Sequence, residues 1–308
     1  MKYSIVIVTY NRCELLKEAI ECAMGQIIKP KHVIVINNAS DDGTSEYLEK
    51  LQKDYQENNN KEYTKLIVKN LKNNTGGAGG FYYGLKLAHK LGDDWHVLID
   101  DDAMLGPGFM YKISMAMKKY KDCLCFAGKV VTDGNIITDH RQNMIYPGFR
   151  FKRIPQEAYS KKVFDCDTAS FCGIVVNDEL VEHIGYPEKK YFIWYDDTEY
   201  CVRIRKHSRI LVVTEAVINH KTTLPLNEWP RHYTWKDYYG IRNRIAMVNK
   251  HGSLADRIYN MADMWINISF RNRLFNLIHF KGDSWKYEIE SYKRAVKDSQ
   301  GGLLRNGD

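Results

Sequence analysis

Ile5-Val6-Ile7-Val8-Thr9-Tyr10-Asn11-Arg12 decides how the rest of the chain is read: four β-branched residues in succession form a strand apolar on both faces, and they run straight into a polar loop. Leu15, Leu16, Ala19, Ile20 and Ala23 then recur at helical spacing. The same strand, loop and helix return at residues 33–36, at the loop Asn37, Asn38, Ala39, Ser40, Asp41, Asp42 and Gly43, and at the stretch through Tyr47, Leu48 and Leu51. Residues 66–68 give a third strand, the glycine cluster at 76–80 a loop, residues 85–91 a helix and residues 97–99 a fourth strand. Strands apolar on both faces that alternate with helices predict an α/β fold with a doubly wound, mostly parallel sheet. Such a sheet binds its ligand beyond the carboxyl ends of its strands, where the polar loops lie.

Past about residue 120 the regularity falls, and short apolar runs at 124–127 and 174–176 alternate with polar and basic loops. From Leu254 onward, Ile258, Met261, Trp265 and Ile268 keep helical steps, with Phe275 and Ile278 continuing the stripe, so a helical extension ends the chain. Arg257, Arg271, Arg273, Lys281 and Lys286 flank this stripe beside Trp265 and Trp285. That edge either meets anionic lipid or stays solvated while the helix packs on its own domain.

The 308 residues suffice for about two domains or one large α/β unit with an appendage. With 44% hydrophobic and 27% charged residues, the composition excludes a disordered chain, a collagen and a coiled-coil rod. Forty-five Lys and Arg against 38 Asp and Glu leave a net charge of +7, which suits anionic ligands or membranes. The basic residues are scattered and no recognition motif accompanies them, so no nucleic-acid partner is expected. Seven cysteines without zinc spacing read as reduced, mostly buried thiols. No basic n-region with a long apolar stretch follows Met1, and no run of about 18 apolar residues occurs, so the expected location is cytoplasmic.

Four motifs carry candidate chemistry. Asp100, Asp101 and Asp102 follow the fourth strand, and three adjacent carboxylates repel one another unless a cation or water compensates. Hard Mn²⁺ or Mg²⁺ shared with a diphosphate does so, with Asp100 and Asp102 on one side of an extended chain and Asp101 on the other; an acidic turn open to water is the alternative. Asn74, Thr75, Gly76, Gly77, Ala78, Gly79 and Gly80 offer either a backbone that passes close to phosphate or a flexible hinge. Trp194, Tyr195, Asp196, Asp197, Thr198 and Glu199 set carboxylates beside rings, as an acceptor and general-base site or as an acidic helix start. His220 ends an apolar run as a metal ligand or a structural histidine, and Tyr238, Tyr239, Arg242 and Asn243 share a helix face for phosphate or for packing.

In this order, the Thr9 to Arg12 segment, the 38–44 loop, the glycine cluster with Phe81, the triple Asp and the 194–199 segment resemble family 2 glycosyltransferases over residues 3–245. Among these the glycine cluster and the Trp-x-Asp-Asp-x-Glu segment look most like bacterial galactofuranosyltransferases, with rhamnosyltransferases next. The resemblance implies a GT-A fold, with residues 1–120 as the nucleotide-sugar half, 121–235 as the acceptor and catalytic-base half and 236–308 as the helical region. It implies an inverting transfer of galactofuranose from UDP-galactofuranose, or of rhamnose from dTDP-rhamnose, to a glycan or lipid-linked acceptor in bacterial surface polysaccharide synthesis, at the inner face of the membrane.

It places Thr9, Asn11, Arg12, Asn37, Asn38, Asn74, Gly76, Gly77, Gly79 and Asp101 around the donor and Trp194 and Tyr195 on the acceptor. Asp197 becomes the base, helped by Asp196 and Glu199, and Asp100, Asp102 and His220 hold Mn²⁺ or Mg²⁺. Asn37 and Tyr83 stand where many relatives carry Asp and Arg, which bears on the choice of base and sugar. A nucleotide-sugar-binding protein without activity is the rival reading.

Overall fold

The computed structural model describes residues 1–57, 64–222, 234–266 and 284–300. Its chain divides into two units. The first comprises Met1–Asn143, Arg153–Lys189 and Asp197–Leu224, and the second Met144–Lys152, Lys190–Asp196 and Pro225–Asp308.

The first unit begins as the β-branched runs predict. Strand β1 (Tyr3–Thr9) is followed by α1 (Cys13–Met24), β2 (His32–Asn37), α2 (Thr44–Glu57), β3 (Lys65–Asn70), α3 (Gly76–Lys90) and β4 (Trp95–Asp100). A short β5 (Ala103–Leu105) and α4 (Phe109–Lys119) lead to β6 (Cys125–Thr132) and β7 (Asn135–Ile136). After β8 (Arg141–Ile145) and β9 (Arg150–Arg153) come β10 (Val163–Cys166), β11 (Thr168–Ala169), β12 (Ile174–Asn177), α5 (Asp178–Ile184), α6 (Asp196–Ile204) and β13 (Ile210–His220).

The main sheet has the order β10-β13-β6-β12-β4-β1-β2-β3. Strands β3, β2, β1 and β4 run parallel, β12 is antiparallel to both β4 and β6, β13 is parallel to β6, and β10 is antiparallel to β13. Six of these eight strands therefore point one way, which is the mostly parallel sheet expected. Because side chains alternate along a strand, Ile5 and Ile7 of β1 enter the core that holds Leu16 and Ile20, while Val6 and Val8 enter the opposite core with Phe81 and Leu85. Strand β4 is tied in by a polar chain: Ser4 Oγ lies 2.8 Å from His96 Nδ1, and Asp178 Oδ1 lies 2.7 Å from His96 Nε2 and 2.8 Å from His89 Nδ1. The seven cysteines are all free; Cys123, Cys125, Cys166, Cys172 and Cys201 are buried.

The glycine cluster departs from expectation. It is the first turn of α3, and its last member and the next glycine along the helix are packing positions: a Cβ on Gly80 would come 2.3 Å from Val8 Cγ1, and one on Gly84 2.3 Å from Val6 Cγ1. One helical turn apart, these two glycines let α3 lie directly on β1. A Cβ on Gly79 would strike the Thr75 side chain at 2.3 Å, whereas one on Gly77 would meet nothing within 4 Å.

In the second unit, α7 (Trp235–His251), α8 (Leu254–Trp265) and α9 (Ser284–Gln300) are described. The predicted stripe of α8 faces outward: Leu254, Ile258 and Trp265 are exposed, and the helix buries Asp256, Asn260 and Met264 instead. The reason is polar, because Asp256 Oδ1 accepts from the Gly148 amide at 2.7 Å while its other oxygen closes the capping box with Ser253. Ile268, Arg271, Arg273, Phe275, Ile278 and Lys281 lie outside the described residues, as do the side chains of Trp285 and Lys286. No helix among the described residues is long and apolar enough to cross a membrane.

Gly84→Val is expected to lower stability by roughly 1–3 kcal/mol through overpacking against β1, whereas Gly77→Ala is neutral or slightly stabilising. Urea unfolding of the two variants checks this; equal effects at both sites contradict the packing role.

Candidate active site

Strand order places the site. The chain moves from β1 outward through β2 and β3, then returns to add β4 on the other side of β1, so the ends of β1 and β4 lie side by side with Val8 paired to Asp100. Such a reversal opens a crevice at the carboxyl ends of the strands. Thr9 Oγ1 donates to Asp101 Oδ2 at 2.8 Å, the Tyr10 amide donates to the same oxygen at 3.3 Å, and Arg12 donates from one Nη to Asp101 Oδ1 at 3.2 Å and Asp102 Oδ2 at 2.6 Å. Asp101 and Asp102 are buried. Burial pushes the Asp101 carboxyl up to about 6, against the pull of Thr9 and Arg12. Asp102 goes the other way: burial raises it, but His220 and Arg12 outweigh burial and hold it below the usual range.

The alternation expected for the triple Asp stops at Asp100, where β4 ends and the chain turns. Asp101 and Asp102 therefore share Arg12, although they are neighbours in sequence. His220, at the end of β13, brings Nε2 to 3.1 Å from Asp102 Oδ1 as an ion-pair contact. Asp102 Oδ1 and His220 Nδ1 are buried and make no hydrogen bond among the described residues.

The expected metal trio is thus brought together as one pair: no three His, Cys, Asp or Glu side chains converge on a metal-holding geometry among the described residues. A pair still fits a hard divalent cation, because such ions are commonly held by one or two carboxylates with the remaining oxygens supplied by substrate phosphates. Asp102 Oδ1, which faces His220 Nε2, is the oxygen such an ion would use. His140 packs edge-on against the His220 ring at 5.0 Å between centroids; burial and the Arg141 charge push it down to about 3, so it stays neutral.

The asparagines of the rim are engaged with one another. Asn11, at φ 54°, donates through Nδ2 to Asp41 at 2.7 Å and receives the Asp41 amide at 2.9 Å. Asn37 donates to Ser45 and Asn70, and Asn38 donates to Asn74 Oδ1 and Gly76 O. Asn74 in turn accepts the Gly76 amide at 2.8 Å, which stitches the 37–40 loop to the start of α3.

On α6, Asp197 Oδ1 accepts from the Thr198 amide at 2.5 Å and from Thr198 Oγ1 at 3.0 Å. Burial raises this carboxyl above its ordinary value, and the Thr198 bonds and the charge of Arg141 counter it only in part. Glu199 is fully buried, and its Oε2 takes two bonds from Arg203, at 3.0 and 2.7 Å, which tie it along α6. Arg141 has no signal in the sequence. It is fully buried and donates to the carbonyls of Gly128, His140 and Cys172. In the second unit, Asp196 is buried and Trp194 is exposed. Phe192, Trp194 and Tyr195 have φ of 66°, 65° and 67°, a left-handed backbone that costs roughly 1 kcal/mol for each such residue.

The profile described as "Glycosyl transferase family 2" matches residues 4–181. The chain is 26% identical over 204 residues to galactofuranosyltransferase GlfT1 of Mycolicibacterium smegmatis, a match covering 63% of this chain and 62% of that protein. It is 30% identical over 143 residues to the uncharacterized glycosyltransferase YwdF of Bacillus subtilis, covering 46% of each. The matches thus span less than two thirds of either relative. Among solved structures, S. aureus TarS 1-349 in complex with UDP-GlcNAc is similar with a TM-score of 0.57 at 17% identity, over 97% of this chain and 80% of that one. Mannosyltransferase PcManGT from Pyrobaculum calidifontis, in complex with GDP-Man and Mn2+, is similar with a TM-score of 0.54 at 15% identity, over 98% and 76%.

Thr9→Val removes the hydroxyl donor of a buried carboxylate and is expected to destabilise the protein by about 1–3 kcal/mol. Denaturant midpoints measure the loss, and an unchanged midpoint contradicts the pinning of Asp101 by Thr9.

Proposed function

The chain belongs to glycosyl transferase family 2, and from that membership we propose that it transfers a single sugar with inversion from a nucleoside diphosphate donor to a glycan or lipid-linked acceptor. Its fold is GT-A and it is a transferase. The observation that carries the reading is the buried Asp102–His220 pair, Oδ1 against Nε2 at 3.1 Å, at the crevice where β1 and β4 end.

Asp102 and His220 are the residues that would hold a divalent cation there, with Asp100 two residues before Asp102 in the chain. A bound cation of this kind supplies positive charge to a departing diphosphate. Thr9 and Arg12 fix the neighbouring carboxylates so that the cation site keeps its shape. Asp197 is the general base: Oδ1 is committed to Thr198, and the other oxygen takes the acceptor hydroxyl proton. As that proton leaves, the hydroxyl oxygen bonds to the anomeric carbon and the carbon–oxygen bond to the diphosphate breaks on the opposite face. Galactofuranose from UDP-galactofuranose is the donor favoured by the likeness to GlfT1. The +7 charge and the outward apolar stripe of α8 support an acceptor carried on lipid at a membrane face.

Hydrolysis of UDP-galactofuranose, dTDP-rhamnose, UDP-galactose and UDP-glucose, with Mn²⁺ and with chelator, tests the donor. UDP-galactofuranose with Mn²⁺ is expected to turn over fastest; dTDP-rhamnose first overturns the sugar, and turnover of none overturns the function.

Asp197→Asn is expected to lower turnover by at least 10²-fold, and near-normal turnover removes Asp197 from the mechanism. A base works only when ionised, so the wild-type rate should fall as pH drops through the Asp197 value, which burial has raised above the ordinary aspartate range. A rate that stays flat down to about pH 4 contradicts this assignment.

A further inference from the structure

The turn that leads into Asp196 and Asp197 contains three aromatic residues in left-handed backbone, Phe192, Trp194 and Tyr195. Bulky side chains do not hold that conformation by their own preference, so something outside the turn imposes it. Four carbonyls of the turn point at α7, and two neighbouring residues of that helix take them. Asn243 Nδ2 donates to Tyr191 O at 2.8 Å, Ile193 O at 3.0 Å and Trp194 O at 2.8 Å. Arg242 Nη2 donates to Lys190 O at 2.7 Å and Tyr191 O at 3.0 Å. Arg242 Nε donates to Asn243 Oδ1 at 3.0 Å, and because an arginine can only donate, this bond fixes which end of the Asn243 amide faces the turn. Asn243 is fully buried and Arg242 nearly so.

The helix also shapes the rings. A Cβ on Gly240 would come 2.8 Å from Trp194 Cε3, so the indole lies directly on the helix backbone at that position. Phe192 stacks on Tyr239 at 5.0 Å and 24°, Trp235 stands edge-on to Tyr239, and the Arg242 guanidinium lies 4.8 Å from the centre of the Tyr239 ring. Trp194 and Trp235 remain exposed at the edges of this cluster. Exposed rings in a fixed arrangement are the usual surface for the apolar face of a sugar.

We infer that Asn243, with Arg242, is a positioning residue that imposes the strained 190–195 turn and so displays Trp194, seated beside Phe192 and Tyr195, as the aromatic surface for the acceptor sugar. This rests on the transferase reading above, but it assigns to α7 a task in acceptor recognition that the donor chemistry does not require. Asn243→Asp keeps the size of the side chain and its bond to Arg242, but turns a donor into an acceptor that faces three carbonyls.

The test compares the full-length wild type with Asn243→Asp, Asn243→Ala and Gly240→Ala, the last of which displaces Trp194 without touching the hydrogen bonds. Two readouts are taken. Hydrogen exchange in a peptide spanning 190–196 should rise at least tenfold in the Asn243 variants, with the amides of β1 and β4 unchanged. With UDP-galactofuranose as donor and octyl β-galactofuranoside as probe acceptor, kcat/KM for the acceptor should fall at least tenfold in all three variants, while hydrolysis of the donor by water changes less than twofold. Transfer and hydrolysis falling together, as for a merely structural residue, overturns the proposal, and so does unchanged exchange or unchanged transfer. A wild type that transfers nothing to the probe defeats the donor and acceptor reading, and the exchange readout then decides the clamp alone.

Discussion

The structure depends on where three negative charges end up. Because β4 returns beside β1 after β2 and β3 have been laid down on the far side, the loop after β1 and the loop after β4 must meet, and Asp100, Asp101 and Asp102 arrive together at that seam. Carboxylates withdrawn from water need donors or cations. The β1 loop provides them in Thr9, the Tyr10 amide and Arg12, and β13 adds His220 from the other side. Arg12 remains half exposed, so the compensation at Asp102 stays open to an incoming group. A site that is held together yet incomplete is what a shared ligand such as a diphosphate with its cation can finish.

The first four strands could be read directly from the chain, since residues 5–8, 33–36, 66–68 and 97–99 are apolar runs in alternation with helical periods. What could not be read were the features set by distant partners. The glycines of α3 read as a loop because glycine alone signals freedom of the backbone; that Gly80 and Gly84 instead admit Val8 and Val6 follows only when the helix is laid on β1. The triple Asp read as an alternating strand because nothing local marks the turn after Asp100. Glu199 read as part of the catalytic segment, and its partner four residues on, Arg203, is an ordinary helical pairing that gains weight only from complete burial.

The same holds for the residues that carry the argument beyond the donor. Asn243 and Arg242 stand about 50 residues after the turn they hold, and their meaning lies in carbonyl groups, which no side-chain pattern reveals. Arg141 is a single cation in an irregular stretch, yet it is buried among carbonyls where its charge reaches Asp197. The helix start at Asp196 and Asp197, by contrast, was legible from the acidic residues themselves, because carboxylates at a helix N-terminus need no long-range partner to be recognised.

Calorimetric titration of UDP into the protein, with Mn²⁺ and with chelator, tests the central claim most directly, since it asks whether the Asp102–His220 corner grips a nucleotide through a cation. The account predicts that Mn²⁺ tightens UDP binding at least tenfold in the wild type and that Asp102→Ala and His220→Ala each remove that gain. Equal UDP affinity with and without metal, or a metal gain that survives both substitutions, would contradict it.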